Sequence, residues 1–256
     1  MEIVFVGAGR LSTQLARALQ RKGHTIAAVY SHTLANAEAL CHTVGGFPTD
    51  SIDLLPLKAD AFVVAVKDAV LPELIPQLEQ GRQDSVLLHT AGSVSMAVFG
   101  QQGHHGVLYP MQTFSKERQV DFTNVPFFVE TNDEVALEVA RSLAQTVTTR
   151  VLQMDSESRR YLHLAAVFAC NFANHSYALA AKILEQHGMD FDLMLPLIDE
   201  TAQKVHTMLP RRAQTGPAVR YDETVMAAHL TLLEGEPLMQ QVYQTMSNSI
   251  HSLAND

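Results

Sequence analysis

The stretch that most constrains the chain is its beginning, residues 1–22. Residues 2–6 (EIVFV) form a β-branched and aromatic run that reads as a buried strand. Gly7-Ala8-Gly9 follows at once, and then Leu11, Leu15, Ala18 and Leu19 recur at helical spacing until Gly23 closes the segment. The pattern is strand, tight glycine turn, helix. A helix start leaves backbone N–H groups unpaired and carries partial positive charge, so it suits a diphosphate. Gly7 permits the turn, and Gly9 lets a phosphate approach the backbone. Ser12 stands where a third glycine is usual and is still small enough for helix and strand to pack closely. A G-x-G alone is a weak signal; its setting between a clear strand and a clear helix strengthens it. Gly7, Ala8, Gly9, Arg10 and Leu11 are therefore candidate nucleotide contacts.

Residues 25–30 (TIAAVY) read as a second strand. An acid just after it would bond a ribose 2′-hydroxyl and favour NAD. The chain has Ser31-His32-Thr33 instead. Two hydroxyls and an imidazole leave room and donors for a 2′-phosphate, and Arg10 can add charge. The expected cofactor is NADP, with NAD the less favoured choice. Ser and Thr also favour helix N-caps, which leaves a structural reading of these residues open.

Strands and helices then alternate. Residues 34–44 read as a helix, 60–66 as a strand, 69–78 as a helix and 85–89 as a strand. Further strands fall at 106–109, 126–130 and 149–153, with a helix at 133–145. Such alternation implies a doubly wound parallel sheet, whose ligands lie beyond the carboxyl ends of the strands. That rule gathers residues 7–11, 31–33, 66–68 and 89–93 around one crevice. Val66, Lys67 and Thr90 are read as cofactor contacts. Ser93, Gln112 and Thr113 supply neutral donors and acceptors for a substrate, although loop capping would also explain them.

From Asp155 the strand signal vanishes. Residues 156–187 read as one long helix, followed by helices at 190–208, 222–233 and 236–254, with a loop at 210–217. The fold class expected is an α/β Rossmann-like doubly wound parallel sheet followed by an all-α C-terminal domain, divided into residues 1–153 and 154–256. On the long helix, His163 and Asn174 lie about 20° apart around the axis, with Asn171 about 80° from His163. Buried amides need partners. These polar groups either face the crevice and hold a substrate, or bond neighbouring loops or a second copy.

Composition narrows the partners. The formal charge is −9, from 27 acids against 18 bases, which argues against nucleic acid or an anionic membrane surface. Cys41 and Cys170 form no C-x-x-C pair, so a disulfide framework is not expected and a reducing cytoplasm fits. No apolar run approaches the ~20 residues of a membrane span. No signal segment and no metal-ligand cluster is read.

The motifs together resemble a known group. GAGRLSTQLARAL (7–19), AVKDAVL (65–71), HTAGSVS (89–95), YPMQTF (109–114), YLHLAAVFACNFANH (161–175) and TGPAVRYDETVMAAHL (215–230) look like bacterial proteins that join a Rossmann-like domain to a domain of unknown function 2520. The resemblance covers essentially the whole chain. Wider relatives include pyrroline-5-carboxylate reductase, 6-phosphogluconate dehydrogenase (whose C-terminal domain is similarly helical), prephenate dehydrogenase and deazaflavin-using NADP reductases. It implies NADP binding and a homodimer through the helical domain. Gly92-Ser93-Val94 and Tyr109-Pro110-Met111 are similar to segments of prephenate dehydrogenases, with Tyr109 where those carry His. The lysine–asparagine pair of hydroxyacid dehydrogenases is not evident; His163 and Asn171 stand where it would be sought.

Hydride transfer needs an aimed nicotinamide, a group that polarises or protonates the reacting centre, and exclusion of water. His163, His89 and Asn171 are the expected catalytic residues, with Asn174 on the substrate. Thr215, Gly216, Pro217 and Arg220 could add an anion contact, whereas Arg211-Arg212 read as solvated. The function expected is an NADP-dependent oxidoreductase acting on a small, anionic metabolite in an interdomain cleft. Alternatives are a non-catalytic dinucleotide sensor or scaffold, a prephenate-type dehydrogenase, or a deazaflavin-dependent NADP reductase.

Overall fold

The computed structural model describes residues 1–101, 103–115 and 118–255. Two compact units result, Met1–Cys170 and Asn171–Asp256.

The first unit begins with β1 (Glu2–Val6), α1 (Arg10–Arg21), β2 (Thr25–Tyr30), α2 (Leu34–Val44) and β3 (Phe47–Thr49). It continues with β4 (Ala61–Val64), α3 (Leu71–Glu79), β5 (Val86–His89) and β6 (His104–Pro110). It closes with β7 (Phe127–Thr131), α4 (Glu134–Val147), β8 (Val151–Gln153) and α5 (Ser156–Ala166). Among the described residues the strands form one eight-stranded sheet in the order β3-β2-β1-β4-β5-β6-β7-β8. The chain builds outward from β1 through β2 to β3, then crosses back to place β4 on the other side of β1. The break in strand order between β1 and β4 is where open α/β sheets leave a ligand crevice.

The β1 run is apolar throughout because both of its faces are covered. Ile3 and Phe5 pack with α1, α2 and α4, whereas Val4 and Val6 pack with α3. Two features of the sheet differ from the sequence expectation. β3 is an unforeseen three-residue edge strand, paired with β2 through Ala28–Phe47 to Tyr30–Thr49. β7 runs antiparallel to β6, and β8 runs parallel to β7. Among the described residues no helix intervenes between β6 and β7, and the chain returns in the opposite direction.

Gln14 on α1 ties down the return segment. Its amide nitrogen donates to the carbonyls of Ser115 (2.7 Å) and Arg118 (3.0 Å), and its oxygen accepts from the Val120 N–H at 3.3 Å. α5 is held by Arg159, which is fully buried and donates to the Glu130 carboxylate on β7 and to the Val94 carbonyl at 2.7 Å.

The second unit holds α6 (Ala173–Gln186), α7 (Leu195–Thr207), α8 (Pro210–Ala213), α9 (Glu223–Leu232) and α10 (Pro237–Asn255). α8 occupies part of what was expected to be loop. Between α5 and α6 the chain stays helical but widens into a π-helical segment, Val167–Phe172. Within this unit Lys182 pairs with Glu236 at 2.6 Å, and His229 Nδ1 meets the Tyr243 hydroxyl at 2.9 Å. Its buried apolar residues are few: Leu184, Ala218, Met226 and Met239 among the described residues. Leu193, Leu197, Leu209, Leu232, Leu238 and Leu253 are exposed. Among the described residues no helix is long and apolar enough to cross a membrane.

Candidate functional site

β1, β2, β4 and β5 are parallel neighbours, so their carboxyl ends open on the same edge of the sheet. Gly7, Ser31, Val66 and Thr90 follow those ends within two residues. Gly7 turns the chain at φ +111, and its N–H donates to the Tyr30 carbonyl at 2.8 Å. A Cβ there would stand 2.3 Å from the Ala65 carbonyl oxygen, so only glycine fits. Ala8 is buried, and Leu11 packs against the core. Gly9 is the N-cap of α1, and no side chain caps that helix. The first turn carries no acid, and a Cβ on Gly9 would meet nothing within 4 Å. An uncapped helix start with open space at its cap residue suits a bound phosphate.

Arg10, His32 and Thr33 are exposed beside this opening, and Ser31 is half-buried. The Ser31 N–H donates to the Thr49 carbonyl at 3.0 Å, so β3 holds this turn in place. Thr33 is the N-cap of α2 but makes no side-chain cap bond. No carboxylate stands at 31–33. These residues fit a dinucleotide that carries a 2′-phosphate. Lys67 is exposed and Val66 half-buried, whereas Thr90 is buried with its hydroxyl donating to the Val64 carbonyl at 3.3 Å.

Beyond β5 and β6 three residues converge. The Tyr109 hydroxyl lies 3.2 Å from Nδ1 of His163 on α5, with the rings edge to face at 72°. Gly92 sits against both: a Cβ there would stand 2.6 Å from His163 Nδ1 and 2.9 Å from Tyr109 Cζ. Tyr109 is buried among Val107, Phe128 and Leu162. Burial pushes its phenol pKa up; the Arg159 charge opposes this, and Asp68 adds to it.

His89 differs from the expectation of a proton donor. It is fully buried and stacked on Phe99 at 5.6 Å, and its Nδ1 accepts from the Ala91 N–H at 3.2 Å. Burial, then the nearby Arg159 charge, depress its pKa to about 3, against only partial opposition from the backbone at Ser95. Burial thus favours its neutral form. The exposed hydroxyl of Ser93 donates to the Asp68 carboxylate. That carboxylate makes the spot suited to a neutral or cationic group rather than an anion. Gln112 and Thr113 are exposed, with the Gln112 side-chain oxygen accepting from the Thr113 N–H at 2.8 Å.

Asn171 and Asn174 are exposed and belong to the second unit. Asn171 lies within the π-helical segment. The 3.6-residue arithmetic relating them to His163 does not carry across that segment, because its i→i+5 bonding changes the rotation per residue. Tyr109 and Asp68 were missed as members of the cluster. Tyr109 lies at the carboxyl end of β6 and Asp68 four residues beyond β4, on the crevice edge where strand ends gather.

A model of a Rossmann-like domain matches residues 1–112, and a model of the domain of unknown function DUF2520 matches residues 125–250. A Bacteroides fragilis protein provisionally assigned as an NADP oxidoreductase is 48% identical over 98% of both chains, with a TM-score of 0.94. The chain belongs to this Rossmann–DUF2520 family. A Thermotoga maritima protein shares this chain's fold at 23% identity and a TM-score of 0.81, covering 99% of this chain and 100% of its own. An imine reductase from Myxococcus stipitatus, solved with NADP+, shares the fold at 16% identity and a TM-score of 0.66, covering 100% of this chain and 93% of its own. No curated protein matches the chain.

Proposed function

We propose that this Rossmann–DUF2520 protein is an NADP-dependent oxidoreductase acting on a small molecule. The observation that carries the reading is the uncapped start of α1 after Gly7-Ala8-Gly9, beside a β2 end that has no carboxylate. The 48% identical Bacteroides fragilis protein, provisionally assigned as an NADP oxidoreductase, and the NADP+ complex of the imine reductase support it. Gly7, Ala8, Gly9, Arg10 and Leu11 would cradle the diphosphate, and Ser31, His32, Thr33 and Arg10 the 2′-phosphate. Val66, Lys67 and Thr90 would flank the sugar nearest the reacting end. When bound, NADP(H) supplies or accepts a hydride.

His163 would polarise the reacting carbonyl or imine. It is half-exposed on α5 and braced by Tyr109, whereas His89 is sealed in the core. The Asp68 carboxylate beside Ser93 favours a neutral or cationic substrate group there over the small anion expected from the sequence. Gln112, Thr113, Asn171 and Asn174 remain substrate-contact candidates. Fluorescence titration with NADPH and NADH tests the reading. NADPH binding at least tenfold tighter is expected; equal or absent binding overturns it.

The exposed leucines of the second unit support a second proposal, a homodimer in which another copy covers them.

A further inference from the structure

The geometry points to Tyr109 as a positioning residue whose hydroxyl donates to Nδ1 of His163 and so keeps that imidazole's proton on Nε2. The inference rests on the reading of His163 as the polarising group.

A neutral imidazole has one donor and one acceptor nitrogen, and the partner of one nitrogen fixes the state of the other. Two hydrogen-bond directions are open at the 3.2 Å contact. If His163 donated from Nδ1 to the phenol oxygen, Nε2 would be left with a lone pair. That lone pair would repel the negative charge that builds on a carbonyl oxygen or imine nitrogen as hydride arrives. If Tyr109 donates, Nε2 carries the N–H and can meet that charge. The surroundings favour the second direction. The phenol is buried beside Phe128, and among the described residues its hydroxyl meets one hydrogen-bond partner, His163 Nδ1, so its proton has an acceptor only if Tyr109 donates. The charged groups that act on it, Arg159 and Asp68, pull in opposite senses.

The arrangement is held from three sides. β6 carries Tyr109 and is paired to β7 through Tyr109–Phe128. α5 carries His163 and is pinned four residues earlier by Arg159. Gly92 fills the floor, and any side chain there would push the two rings apart.

Long-range proton–nitrogen NMR of the full chain, labelled with 15N-histidine and recorded above the ordinary imidazole pKa, reads the tautomer directly. His163→Gln assigns the resonance. The expected result is an Nε2–H pattern for His163 in the wild type, lost to tautomer averaging in Tyr109→Phe. An Nδ1–H pattern or averaging in the wild type overturns the inference, as does an unchanged pattern in Tyr109→Phe. Should Tyr109→Phe not fold, the wild-type pattern alone decides. NADPH titration of the same wild-type sample reports separately on the cofactor reading, so the two can fail independently.

Discussion

Arg159 on α5 places its fully buried guanidinium against the Glu130 carboxylate of β7, and Ser156 donates to the same carboxylate oxygen at 2.7 Å. This pair fixes the helix that presents His163. A buried charge is costly when its partner is removed, because the survivor is left without compensation. Arg159→Met is expected to lower stability by about 3–5 kcal/mol. Pairing it with Glu130→Leu should recover a large part of the loss. Urea unfolding of the single and double variants measures both.

His89 makes the protein acid-sensitive. Its folded pKa lies near 3, below its ordinary 6.5, so the unfolded chain binds the proton more readily. Its contribution is intact above pH 6.5 and is lost as pH falls from there toward 3. Each unit of depressed pKa corresponds to about 1.4 kcal/mol. His89→Gln is expected to flatten the stability profile across that window, as followed by urea unfolding at stepped pH.

Gly7 and Gly9 separate folding from binding. Gly7→Ala forces a Cβ onto the Ala65 carbonyl at φ +111 and should cost roughly 1–3 kcal/mol from the backbone alone. Gly9→Ala meets no protein atom within 4 Å, so its melting temperature should hold while NADPH affinity falls. Thermal melts and nucleotide titrations distinguish the two.

Arg10 and His32 should set the preference for the phosphorylated nucleotide. Replacing either with Ala removes one charge-assisted contact, worth about 1.5–3 kcal/mol. NADPH affinity should fall roughly tenfold or more with little change for NADH. Ser31→Asp should narrow the preference further by placing a carboxylate against the 2′-phosphate. Competitive titration reads each.

The helical unit should be found paired. Light scattering on the purified chain is expected to give twice the chain mass. A monomer at micromolar concentration would leave its exposed leucines without the proposed partner.

Much of the sheet was legible because its code is local. The run from Glu2 to Leu19 carries its own strand period, turn chemistry and helix period. The reversal of β7 was not legible, because strand direction depends on the path between β6 and β7 rather than on either strand. The Tyr109–His163 contact joins residues 54 apart in the chain, and no pattern within a helix or strand encodes such a meeting. His89 looked catalytic because it ends a strand. What sealed it was the ring of Phe99 ten residues on, folded back against it.

One glutamine adds a mechanical consequence. Gln14 grips three backbone groups of the stretch that follows Gln112 and Thr113, from the helix whose opening faces the crevice. Any rearrangement of that stretch must break bonds to α1, and any tilt of α1 must drag the stretch along. A single amide thus ties the first helix of the sheet unit to backbone that follows it by more than a hundred residues, so the two hold their places together.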